Sequence, residues 1–276
     1  MNDKDTVAPR VDALAPSEIE AKAEDVGAGK ATMPFAKTLL LAILAGLFVG
    51  MGGMFMLLVR SDASMPFVAT QLLGGLAFCL GLFLIVVCGA ELFTGNCLMV
   101  AGALSKKFSW TKLLRNWGIV YLGNILGSLL LVVLLFFAQY WALNGGAVGD
   151  AMVAVAVSKA SQGWVVLFFK GIMCNLLVCL AVWASFAARS VTDKFFAILL
   201  PITAFVACGY EHCVANMFFL PMAFVLKLAG IAEVGALSLG SIFSNLSAVT
   251  LGNIVGGAVL VGASYWLAYA RKGSGE

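Results

Sequence analysis

Charge is what this sequence lacks. Of its 276 residues, 11% are charged and 62% hydrophobic, where a soluble domain carries roughly 25% charged residues. So little charge cannot cover a water-soluble fold, and the solvent for most of the chain is lipid. A net charge of +3 provides no clustered Lys and Arg for a nucleic-acid groove, which excludes a nucleic-acid partner. Histidine is nearly missing as well: His212 is the only one, which argues against a metal site or a pair of haem ligands, and no cofactor is expected. The seven cysteines lie in or beside apolar runs without a CxxC pair, so they read as small buried hydrophobes rather than a disulfide or zinc framework.

The pattern of a cleavable leader is not seen in residues 1–32, which mix Lys, Arg, Asp and Glu without an apolar core and are expected to stay attached. They read as a retained, soluble N-terminal tail. Within it, Pro16-Ser17-Glu18-Ile19-Glu20 predicts a helix start, with Ser17 as the cap and Glu18 and Glu20 at the positive end of the dipole.

What is present is a series of apolar runs at about 35–58, 65–104, 113–143, 164–188, 195–228 and 248–269. About 20 residues suffice for one helix to cross a bilayer. The second and fifth runs are too long for one crossing, and each splits around a short polar knot, 91–96 and 211–216. Irregular backbone at membrane depth is tolerated only where it is buried in protein or lines a watery cavity. The expected fold is therefore an all-α polytopic membrane protein of six spans, two of them interrupted. A channel domain over 33–270 lies between the tail at 1–32 and a short C-terminal tail at 271–276. Thirteen of the 17 basic residues, among them Lys4, Arg10, Lys22, Lys30, Arg271 and Lys272, fall on one side of this topology. That side is expected to be cytoplasmic, with both termini on it.

The two halves repeat. Cys88-Gly89-Ala90-Glu91 with Asn96 returns 120 positions later as Cys208-Gly209-Tyr210-Glu211 with Asn216. Leu122-Gly123-Asn124-Ile125-Leu126-Gly127 returns 129 positions later as Leu251-Gly252-Asn253-Ile254-Val255-Gly256. Three spans per half make this a 3+3 inverted repeat, about 35–143 and 164–270, whose knots are expected to meet near mid-membrane. Glycines four apart allow close helix packing, and Asn124 and Asn253 read as structural hydrogen-bonding groups.

The knots carry the chemistry. An interrupted helix exposes amide N–H groups, and Thr94 adds a hydroxyl, which together suit a small anion. His212 reads either as a neutral imidazole bonded locally or as a pore residue able to exchange a proton with a weak acid. Glu91 and Glu211, with Asn96 and Asn216, are expected to support the broken backbone, the glutamates by accepting its freed amides. If they faced a pore they would suit a cation path instead. His212 with Glu211 could also form an acid–base pair, making an intramembrane enzyme the rival class. Lys159, taken alone, is an ordinary solvated loop residue, and Lys170 is expected to snorkel to the interface.

Four segments carry a resemblance: Gly89-Ala90-Glu91-Leu92-Phe93-Thr94-Gly95-Asn96, Lys170-Gly171-Ile172-Met173-Cys174-Asn175, Gly209-Tyr210-Glu211-His212-Cys213-Val214-Ala215-Asn216-Met217 and Leu251-Gly252-Asn253-Ile254-Val255-Gly256-Gly257. In this order they resemble the formate–nitrite transporter family, whose protomers look like aquaporins and assemble as pentamers. The resemblance implies a homopentamer in a bacterial-type inner membrane. It places Thr94 and His212 at a central site, Lys159 at the outer mouth, and Phe78, Leu82 and Phe205 at apolar constrictions on either side. Asn175 is implied to face the lumen. The tail from Pro16 to Lys30 and the run from Gly256 to Trp266 look most like formate channels, with nitrite and hydrosulfide channels as alternatives. Cys213 departs from the serine expected after the histidine. The implied mechanism has Lys159 concentrating a small weak-acid anion and His212 supplying a proton before the apolar rings.

Overall fold

The computed structural model describes residues 13–235 and 237–270. Lys4, Arg10, Arg271, Lys272 and the C-terminal tail lie outside the described residues. The secondary structure among the described residues is all helical, as the apolar runs require. We number the helices α1 (Pro16–Ala31), α2 (Phe35–Arg60), α3 (Phe67–Gly89, its last turn π-helical), α4 (Phe93–Leu104) and α5 (Trp110–Phe137). They continue as α6 (Ala147–Ala160), α7 (Trp164–Ala187), α8 (Val191–Ala207), α9 (Cys213–Leu228) and α10 (Leu239–Tyr269), which widens to π-helical over Val255–Ala263.

Helices α2, α3, α5, α7 and α10 are each long and apolar enough to cross a membrane. By contrast α4 rises only about 18 Å and α9 about 24 Å, short of a hydrocarbon core of about 30 Å. These are the C-terminal pieces of the two interrupted runs. The last apolar run starts earlier than its hydropathy suggested, at Leu239, because Ser238 caps it through Ser241 N at 3.1 Å. Lys159 is not in a loop: it lies in the last turn of α6, a short helix whose Val148, Met152 and Val155 join the core.

Close packing is built on the repeated glycines. A Cβ on Gly46 or Gly127 would collide with the carbonyl oxygens of Asn124 and Ile43, bringing α2 and α5 into backbone contact. Gly252 and Gly256 do the same for α10 against the carbonyls of Phe168 and Ile172 of α7. Without a hydrophobic force between helices in lipid, this close approach supplies the van der Waals contact that holds them.

The N-terminal segment is not a free soluble tail. Ile19, Ala23, Gly27 and Ala31 recur every four residues along one face of α1, and the first two and the last pack with Phe108, Met99 and Trp183 in one apolar cluster. Ser17 is not its cap. Ala15 is the cap residue with Pro16 at the first helical position, and Glu18 accepts from Ala15 N at 2.7 Å. Buried Glu24 accepts from Ser105 Oγ and pairs with Lys107 Nζ at 3.0 Å, tying α1 to the loop after α4. Of the cysteines, Cys79, Cys97, Cys174, Cys179 and Cys213 are buried as expected. Cys88 and Cys208 are exposed, each just before the glycine that ends a helix.

Candidate functional site at the two helix breaks

Both breaks begin the same way. Gly89 (φ +84°) and Gly209 (φ +68°) adopt the left-handed conformation that stops α3 and α8, and Ala90 N and Tyr210 N close the ends on Ile85 O (3.1 Å) and Phe205 O (3.0 Å). The chain then runs extended, and Glu91 N donates to Leu41 O (3.1 Å) just as Glu211 N donates to Lys170 O (3.3 Å).

The freed amides find asparagine rather than glutamate. Phe93 N donates to Asn124 Oδ1 at 3.0 Å, and Cys213 N to Asn253 Oδ1 at 2.9 Å. Each asparagine amide donates twice more, Asn124 to Ala42 O and Glu91 O, Asn253 to Gly171 O and Glu211 O. The repeated asparagines are structural, as expected. The expectation that Glu91 and Glu211 accept freed backbone amides needs correction. Their carboxylates accept from Asn96 Nδ2 and Asn216 Nδ2, both at 2.7 Å. They also pair with lysines, Glu91 with Lys30 at 2.6 Å and Glu211 with Lys159 at 3.0 Å. Asn116 and Asn245 complete the two sets by accepting from Asn96 and Asn216. Buried charge is tolerated only when paired and hydrogen-bonded, which these glutamates are.

Lys30 was not singled out by sequence reasoning. A signal was available: it precedes Lys159 by 129 positions, the offset of the Gly-Asn-Ile repeat. Its neglect followed from reading residues 1–32 as a soluble tail.

The breaks meet at Thr94 and His212. Thr94 Oγ1 and His212 Nε2 lie 3.1 Å apart, and both residues are buried. The ring is the N-cap of α9, since its Nδ1 accepts from Ala215 N at 3.2 Å. An accepting Nδ1 carries no proton, so the neutral ring bears its hydrogen on Nε2 and donates it to Thr94. Asn175 is fully buried, and its Nδ2 donates to Thr94 O (3.1 Å) and Asn253 O (2.7 Å), bridging one break to the other's support.

A cavity lies at each break. One, of about 480 Å³, is lined by Lys159, Lys170, Phe78, Phe205, Glu211 and His212. Lys170 borders this cavity too, with its Nζ on Gln162 Oε1 at 2.7 Å. Phe78 and Phe205 meet edge to face at 5.6 Å, and Phe205 stacks on the His212 ring at 5.9 Å. The other, of about 370 Å³, is lined by Leu82, Leu92, Gly95 and Glu91, with Lys22 and Lys30 contributed by α1. Phe205 thus borders the central pair on the side of the first cavity, and Leu82 and Leu92 line the second.

The family model described as formate/nitrite transporter matches residues 17–267. The chain belongs to the formate/nitrite transporter family. It is a multi-pass membrane protein in a family of transporters, and the rival reading as an intramembrane enzyme falls with that membership. Among its relatives, the formate channel FocA of Escherichia coli strain K12 is 39% identical, with 95% of this chain and 96% of that one covered. FocA of Haemophilus influenzae is 36% identical over 91% and 93%. A solved structure described as a pentameric formate channel with formate bound superposes with a TM-score of 0.78 at 42% identity, covering 86% of this chain and 98% of that one. A second, an FNT family ion channel, gives a TM-score of 0.82 at 30% identity over 91% and 99%.

Proposed function

We propose that this protein is a channel for small monovalent weak-acid anions, formate foremost, with Thr94 and His212 as its central site. The observation that carries the reading is the 3.1 Å contact between Thr94 and His212, made by two opposed helix breaks between two lysine-bearing cavities. The formate channels among its relatives support formate as the solute. Nitrite and hydrosulfide, equally small and protonatable, are the alternatives.

The architecture we infer is six spans in two inverted halves, α3–α4 and α8–α9 being the interrupted ones. The hydrogen bonds recurring at offsets of 120 and 129 support it. A homopentamer follows the pentameric relative. Both termini lie in the cytoplasm of a bacterial-type inner membrane, supported by the excess of Lys and Arg on the side of α1.

In this mechanism Lys159 and Lys30 draw the anion into either vestibule. The Nε2–H of His212 and the Thr94 hydroxyl then replace part of its hydration shell. Crossing Phe78 and Phe205 on one side and Leu82 on the other selects the neutral acid. A bare ion in a dry constriction faces a Born-type penalty that reaches tens of kcal/mol, whereas a neutral polar solute faces only about 2–7 kcal/mol. Asn175, Glu91, Glu211, Asn96 and Asn216 hold the breaks in register.

The test is flux into reconstituted vesicles of formate, nitrite, hydrosulfide and chloride across a pH range. The three weak acids should enter faster as the pH falls, chloride should enter poorly at every pH, and His212→Phe should lower weak-acid flux at least about tenfold, the scale of losing one charge-oriented hydrogen bond. Chloride flux equal to formate flux would overturn the reading.

A further inference from the structure

The mouth opposite α1 holds cations that the central site does not account for. In the topology above, only Arg60, Lys159, Lys170 and Lys227 fall on that side. Three of the four line the 480 Å³ cavity, while Lys227 donates instead to Leu237 O at 2.9 Å. One carboxylate lines the cavity, Glu211, and it pairs with Lys159. Among the described residues, neither Arg60 nor Lys170 makes an ion pair.

Both are positioned by neutral amides. Arg60, in the last turn of α2, donates from Nη2 to Gln71 Oε1 at 2.8 Å, and Gln71 Nε2 is fixed on Ala207 O at 2.7 Å. Its buried Nε has no acceptor among the described residues. Lys170 Nζ donates to Gln162 Oε1 at 2.7 Å. A glutamine sets the direction of each group without offsetting any of its charge, whereas Glu211 offsets part of the charge of Lys159. A guanidinium offers parallel donors that match two oxygens of one planar anion, which an ammonium cannot do.

We propose that Arg60, oriented by Gln71, is a reception site for small two-oxygen anions of the carboxylate or nitrite type, in the vestibule that leads to Phe78 and Phe205. Lys170 with Gln162 adds a second cation to the same cavity. The site rests on the channel reading given above, and it assigns to the vestibule a preference for oxyanion shape that precedes the selection for neutral acid at the constriction.

The test compares formate with hydrosulfide, an anion without paired oxygens, supplied at this mouth in vesicles holding the parent protein, Arg60→Met, Arg60→Lys or Gln71→Leu. Arg60→Met should raise KM for both anions, with limiting flux unchanged. Arg60→Lys keeps the charge and loses the fork, so hydrosulfide should return to the parent KM while formate stays at least about threefold higher. Gln71→Leu should repeat the lysine pattern, and it decides the matter if neither Arg60 variant folds. Equal recovery of formate and hydrosulfide in Arg60→Lys, or an unchanged formate KM in Gln71→Leu, overturns the site alone. A parent protein that carries neither anion overturns the channel reading and this site with it.

Discussion

The break at 91–96 and the break at 211–216 share a scaffold and differ in what they present. Lysine, glutamate and two asparagines recur around each with matching bonds except one: Lys30 also donates to Asn96 Oδ1 at 2.8 Å, whereas the buried Asn216 Oδ1 has no partner among the described residues. At the centre the correspondence fails: 120 positions separate His212 from Leu92 and Val214 from Thr94. Each half supplies one polar residue where the other supplies an apolar one. Symmetry holds the backbone open, and departure from symmetry furnishes the chemistry. The source of the lysine differs too, Lys159 coming from α6 beside the core and Lys30 from a helix docked on the channel's end.

The comparison breaks most severely at the asparagines. Asn124→Leu strips Phe93 N, Ala42 O and Glu91 O of a buried partner, at about 1–3 kcal/mol for each group. Asn253→Leu does the same in the other half. Both should cut the yield of folded protein sharply and by similar amounts in detergent melting; one tolerated substitution would show that the halves are not equivalent supports.

Next come the lysines. Lys159→Met leaves Glu211 buried without its cation, a loss of about 3–5 kcal/mol for a buried pair. Lys30→Met should destabilise less, because Lys30 is the more exposed of the two (22% against 14%). Melting temperatures of the two variants, ranked against the parent, check the order.

Thr94→Val sharpens the contrast by making the first break resemble the second at its Val214 position. It removes one neutral hydrogen bond, about 0.5–1.5 kcal/mol of stability, so melting should shift little. Formate flux should nevertheless fall several-fold in the vesicle assay, since His212 loses the hydroxyl that shares the solute.

The smallest effect concerns α1. Burial and then the neighbouring Glu24 push the Glu20 carboxyl up to about 7, with Lys107 opposing them. A carboxyl raised in the docked state favours docking below its ordinary value of 4.5, and that contribution is lost as the pH rises through about 7. Limited proteolysis should therefore release α1 faster at pH 8 than at pH 5, and Glu20→Gln should flatten the difference.

Much of this was legible in the sequence because its signals are local. Long apolar runs interrupted by Glu-x-x-x-x-Asn knots announce broken helices, and a motif repeated in the same order announces two halves. Thr94 and His212 stood out as polar residues in those knots. The rest depended on contacts between distant segments. Asn175 is as polar as a lumen residue, but which acceptors it meets is decided by how α4 and α10 pack on α7. The partners of Glu91 and Glu211 were misjudged for the same reason, since Lys30 and Lys159 lie 61 and 52 positions away. Helix α1 was undervalued because small residues such as Ala23 and Gly27 make a packing face with little hydropathy.

The cap at the start of α9 has a consequence for acid. A second hydrogen on the His212 ring has only Nδ1 to occupy, and there it would confront the N–H of Ala215 head on, two donors with nothing between them. The imidazole can become a cation only as the first turn of α9 shifts away. Proton arrival at this point in the bilayer is thereby also a mechanical event, and a pH jump should be felt in the backbone around Ala215 before it is felt anywhere else in the pore.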